Sequence, residues 1–135
     1  MDGPVLVDSS VWVDALREGP SACADALDAL LSRALAVTTA LVAQEVLQGV
    51  RTPSQVARVA TLFDALPRAN ADWRTHVRAA ALFRKLRAGG ITVPTVDAAI
   101  AQLALDRRLV LWSLDAHFHA IARHTKLRMF RPGES

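Results

Sequence analysis

Two short runs constrain the fold of this chain more than anything else in it: "VLV" at residues 5–7 and "LVLWS" at residues 109–113. Both are apolar with no polar alternation, so both read as short strands buried inside the molecule. A third candidate strand is "ALAVTT" at 34–39, and a last one is "KLRMF" at 126–130. The segments between carry helical spacing and helical punctuation. Helices are expected at 11–17, 21–33 with Ser21 as cap, 40–48 after Thr39, and 53–66 opened by Pro53. Further helices are expected from Asp72 to the Gly89-Gly90 pair, from Thr95 to about Arg108, and from Asp115 to His124, with 91–93 a short extended piece. Strands that alternate with helices predict an α/β fold built on a parallel sheet.

With 135 residues, 52% hydrophobic and 21% charged, the chain suits one compact globular domain spanning residues 1–135. Alanine supplies much of the apolar count and aromatics only 5%, which favours close-packed helices. No apolar run approaches the roughly 18 residues of a membrane span, and the start "MDGPVLVD" lacks the basic region of a signal peptide. Cys23 is the single cysteine, so no intrachain disulfide can form; a cytoplasmic setting is expected, with Cys23 a small buried apolar residue. The net charge of +3 rests mainly on arginine, which suits contact with a polyanion and equally a GC-rich genome.

Four carboxylates stand in apolar company. Asp8 follows "VLV", Glu45 lies within "ALVAQEVL", Asp97 within "VPTVDAAIAQLAL", and Asp115 after "LVLWSL". Taken singly, Asp8, Asp97 and Asp115 are accounted for by capping of the helices they precede or open. Glu45 is mid-helix and resists that account; its plain alternative is a partner arginine. Taken together, two of the acids fall just past strand ends on one edge of a parallel sheet, where sites gather. The other two can reach the same cleft from neighbouring helices. Such a cluster repels itself without a cation, and its hard oxygen ligands suit Mg²⁺ or Mn²⁺. An acidic cluster that holds such an ion on a basic protein is a common arrangement for phosphodiester chemistry.

The ordered set "VLVDSSVW", "TALVAQEVLQG", "VPTVDAAIAQLAL" and "LVLWSLDAHF" resembles the PIN-domain nucleases, and among them the VapC-type toxins of toxin–antitoxin pairs. Each motif alone is weak; all four in order, over nearly the whole chain, are specific. The resemblance implies a PIN-like three-layer α/β fold, a central parallel sheet flanked by helices. It implies a Mg²⁺- or Mn²⁺-dependent endoribonuclease that cuts single-stranded regions of RNA. A cognate antitoxin, an RNA substrate and a second copy of the chain in a homodimer are the implied partners, with no membrane. Residue by residue, the family's acids fall on Asp8, Glu45, Asp97 and Asp115 as catalytic and metal-binding groups. Ser10 and Ser113 fall where members often carry a hydroxyl that orients the acids. The family's threonine before the glutamate is one position out of register here, at Thr39, and Leu114 stands where many members are polar.

Outside these motifs, Arg74, Arg78 and Lys85 share a stripe on the helix from Asp72, read either as a solvated charged face or as an RNA-backbone contact. Ala79, Phe83 and Leu86 form its expected core side. The histidines of "DAHFHAIARH" lack an H-x-x-x-H pair and a nearby cysteine, which argues against zinc. Trp112 is expected in the core, and Trp12 at a dimer or antitoxin contact. Two rivals to the nuclease remain. A haloacid-dehalogenase-type phosphatase needs an acid where Ser10 stands. A non-catalytic RNA-binding or protein-interaction module on the same scaffold usually lacks one or more of the acids, and here all four are present.

Overall fold

The computed structural model describes residues 3–133. Among them, the seven expected helices and three of the four expected strands form, in the expected order: β1 (Val5–Val7), α1 (Ser9–Leu16), α2 (Ala24–Ser32), β2 (Ala36–Val37), α3 (Ala40–Gly49), α4 (Pro53–Asp64), α5 (Trp73–Ala88), α6 (Thr95–Arg107), β3 (Val110–Trp112) and α7 (Ala116–His124). The sheet is parallel in the order β2-β1-β3. Every strand residue is buried, the reason these runs are apolar throughout. The core continues outward through Val11, Trp12, Val42, Val46, Ile100, Leu103, Phe118 and Ile121 of the flanking helices.

The register sets up everything that follows. Val5, Leu6 and Val7 pair with Val110, Leu111 and Trp112, so β1 and β3 end level. The Asp8 amide still donates to the Trp112 carbonyl at 2.9 Å, one residue beyond the strand. Asp8 and Ser113 therefore emerge side by side.

Several boundaries differ from expectation, each for a local reason. The "KLRMF" segment makes a single bridge, Met129 to Leu111, rather than a strand. Phe130 donates to the Leu111 carbonyl at 2.8 Å. The next ladder donor would be residue 132, which is proline and has no N–H to give. Residues 91–93 lie between helices outside any strand, and Gly90, at φ +87°, turns the chain back so that the Ile91 amide bonds to the Leu86 carbonyl, which ends α5. Thr95 is the first helical residue of α6 and caps nothing; Pro94 holds the cap position. Thr39 does precede α3, but its hydroxyl makes no cap bond. Asn70 takes that role from 30 residues away, its Oδ1 accepting from the Ala40 amide at 2.8 Å and from the Thr39 hydroxyl at 3.1 Å. Ser21 serves α2 from outside the helix, accepting from the Cys23 and Ala24 amides.

Trp12 is buried rather than free for a partner. Its ring packs edge-on against Phe63 with centroids 4.9 Å apart. Trp112 lies in the core against Phe130, as expected. Cys23 is buried, and burial followed by the neighbouring Asp14 pushes its thiol up to about 11. Among the described residues, no helix is long and apolar enough to cross a membrane.

Candidate active site

The level ends of β1 and β3 build the first half of the site. The Ser10 hydroxyl and the Ser113 hydroxyl each donate to the same oxygen of Asp8, Oδ2, at 2.8 Å. Each serine is itself oriented by a backbone donor. The Leu114 amide donates to Ser10 Oγ and the Asp115 amide to Ser113 Oγ, both at 3.0 Å. Two arms thus run from the loop after β3 into one carboxylate oxygen, and neither uses Asp8 Oδ1. Asp8 is buried, at 4% exposure, and these bonds offset the desolvation of its charge.

The second half comes from α6 and α7. Asp97 sits in the first turn of α6. Asp115 caps α7, its Oδ1 accepting from the His117 amide at 2.9 Å. The His117 ring turns back into the cleft, with Nδ1 3.1 Å from Asp97 Oδ2 and 3.0 Å from Asp115 Oδ1. One donor atom from each of Asp97, Asp115 and His117 lies within 4.8 Å of the others. That set, two carboxylates and an imidazole, fits a divalent cation in charge and in ligand type.

Glu45 approaches from α3 and is exposed rather than buried, and among the described residues no arginine pairs with it. Partial desolvation, then the charges of Asp8 and Asp97, raise its pKa, while the Ser9 hydroxyl opposes the shift. Asp97 is raised too: first by burial, then by Asp115 and Asp8, against the stabilising hydrogen bond from His117. Glu45 is shifted by Asp8 and Asp97, and Asp97 by Asp115 and Asp8, so the four sequence-predicted acids lie near one another. Capping and clustering coexist, since Asp8 and Asp115 cap α1 and α7 with the same carboxylates they bring to the cleft.

In the basic stripe, Arg78 pairs with a carboxylate outside the acidic cluster. Arg78 is committed to Asp106 at the far end of α6, with its Nη2 2.6 Å from Oδ2. Nine residues of helix separate Asp106 from Asp97, about 13 Å of rise. Arg74 shares that end of α5, and Lys85 lies in its last turn. The core side of α5 is Thr75, Ala79, Leu82 and Leu86, with Phe83 only half-buried beneath Arg87. Sequence reasoning missed His117 as a site residue. The available signal was its place two residues after a helix-capping aspartate at a strand end.

A family model described as PIN domain matches residues 5–124. The chain is 34% identical over 128 residues to Ribonuclease VapC11 of Mycobacterium tuberculosis and to VapC ribonuclease Mb1587 of Mycobacterium bovis, covering 92% of this chain and 96% of each relative. Among solved structures, VapBC2 of Rickettsia felis bound to a DNA fragment from its promoter superposes with a TM-score of 0.75 at 17% identity, over 93% of this chain and 96% of that one. VapC20 of Mycobacterium tuberculosis, titled a sarcin-ricin loop cleaving toxin, superposes with a TM-score of 0.66 at 15% identity, over 86% and 93%. At these identities the solved structures speak to the fold, and the curated relatives to the family. The chain belongs to the PIN-domain family.

Proposed function

We propose that this protein is a divalent-cation-dependent endoribonuclease, the toxin of a toxin–antitoxin pair, that hydrolyses phosphodiester bonds in single-stranded regions of RNA. The observation that carries the reading is the convergence of Asp8, Glu45, Asp97 and Asp115 at the carboxyl edge of β1 and β3, in a chain 34% identical to VapC ribonucleases. Asp97 and Asp115 hold the ion, Mg²⁺ or Mn²⁺, with Asp8 and Glu45 completing its surroundings. Such an ion lowers the pKa of a water and stabilises negative charge on phosphoryl oxygens.

The chain's own residues do the rest. Ser10 and Ser113 fix the Asp8 carboxylate in one orientation. Glu45, exposed and with a raised pKa, is placed to take up or release a proton at the mouth of the cleft. Unpaired RNA suits an open site of this kind, because its backbone can be drawn in where a duplex cannot. Arg74, Arg78 and Lys85 of the basic stripe on α5 are assigned to the RNA backbone. The partner is an antitoxin protein, the kind of assembly named for a toxin-antitoxin complex of Klebsiella pneumoniae that shares this fold. The protein works as a homodimer in the cytoplasm.

The test is cleavage of a structured RNA pool by the purified protein with Mg²⁺ or Mn²⁺, with EDTA, and with Asp97→Asn. Cutting that requires the ion and disappears in the variant is expected. Cutting that persists in Asp97→Asn would place the chemistry elsewhere. RNA binding without cutting under any ion would favour a non-catalytic binding module.

A further inference from the structure

Among the described residues, His117 is the nitrogen donor grouped with the carboxylates of the cleft, and its Nδ1 stands close to both Asp97 and Asp115. Three ligands at right angles around an ion, each about 2.1–2.2 Å away, stand about 3.0–3.1 Å apart. His117 Nδ1 is 3.1 Å from Asp97 Oδ2 and 3.0 Å from Asp115 Oδ1. The ring is also held in place. Its own backbone amide donates to Asp115 Oδ1 at 2.9 Å, which ties the first turn of α7 to the carboxylate that the ring faces. His119 and His124, on the same helix, belong to no such group among the described residues.

We propose that His117 ligates the divalent cation directly through Nδ1, beside Asp97 and Asp115, and that it biases the site toward Mn²⁺ over Mg²⁺. The proposal rests on the cation-dependent reading above. Imidazole nitrogen binds Mn²⁺ and later transition ions better than Mg²⁺, which prefers an all-oxygen shell. Ligation through Nδ1 would use that nitrogen's lone pair, with the ring proton on Nε2. The plain alternative is that His117 only bridges the two acids and leaves when the ion arrives.

The experiment is calorimetric titration of the full chain with Mn²⁺ and, separately, Mg²⁺, for wild type, His117→Ala and Asp97→Asn, alongside pulsed EPR of the Mn²⁺-loaded wild type. Expected are tighter Mn²⁺ than Mg²⁺ binding in wild type and an imidazole nitrogen coupling in the EPR spectrum. In His117→Ala, Mn²⁺ binding should weaken by about tenfold or more, with the nitrogen coupling lost and Mg²⁺ affinity changed much less. Mn²⁺ bound without nitrogen coupling would overturn the proposal while leaving the cation site standing. Tighter binding of both ions in His117→Ala would also overturn it, identifying the ring as a competitor of the ion. Binding that is absent in wild type, or unaffected by Asp97→Asn, would sink the cation-site reading itself and this proposal with it. The EPR arm needs no variant, so a poorly folded His117→Ala protein leaves the proposal decidable.

Discussion

Asp97 shows how a clustered, half-buried carboxylate strains the protein that carries it. Burial and the charges of Asp115 and Asp8 raise its pKa, and the hydrogen bond from His117 only partly compensates. A carboxyl raised in the folded state keeps its proton at a pH where the unfolded chain has lost it. The stability of the cation-free protein therefore falls as pH rises through the window between the unfolded and folded values. Asp97→Asn removes the charge and keeps the shape. In EDTA at pH 7, thermal unfolding of the variant is expected a few degrees above wild type, with the gap closing toward acidic pH. An equal or lower midpoint would mean that the His117 bond outweighs the repulsion. Around it the chain spends hydroxyls rather than cations: Ser10 and Ser113 satisfy Asp8, and no arginine among the described residues neutralises the group. That leaves room for an ion.

Among the elements, α5 and α6 are locked by a polar knot that lies away from the chemistry. Asp106 accepts from Arg78, Gln102 and the Thr75 hydroxyl, and Thr75 also donates to the α5 cap, Asp72. Arg78 first, then Gln102 and Thr75, hold the Asp106 carboxyl down at about 2. A depressed carboxyl contributes stability above its unfolded value near 3.9, and that stability is lost as pH falls through about 2. Asp106→Asn should therefore lower the urea midpoint at pH 7, and the difference from wild type should vanish near pH 2. A pH-independent difference would make the effect one of packing. The knot also gives Arg78 of the basic stripe a fixed carboxylate partner.

For the whole molecule, the fold brings four acids from distant parts of the chain near one another, and a bound cation should stabilise the fold that assembles them. At a hundred times its dissociation constant, Mn²⁺ is expected to add about 2.7 kcal/mol to the unfolding free energy. Denaturant titration with and without EDTA measures this. The increment should disappear in Asp97→Asn, and an increment that survives there would locate the ion elsewhere. No such coupling is expected for the Asp106 knot, which holds its own cation in Arg78.

Much of this was legible in the order of residues. Apolar runs without alternation marked β1 and β3, because strands buried on both faces admit no polar position. Acids placed just beyond those runs, and a caps-and-glycines grammar between them, located Asp8, Asp115, α5 and α7. What depended on contacts across the chain was decided only by the tertiary structure. Asn70 replaces Thr39 as the working cap of α3, Arg78 turns to Asp106, and Trp12 packs on Phe63. His117 joins Asp97 across 20 residues of sequence. Local patterns follow from backbone geometry and the period of burial, which a short window of sequence carries. The choice of partner for a polar side chain is set by which elements the fold brings within about 3 Å, and no short window carries that.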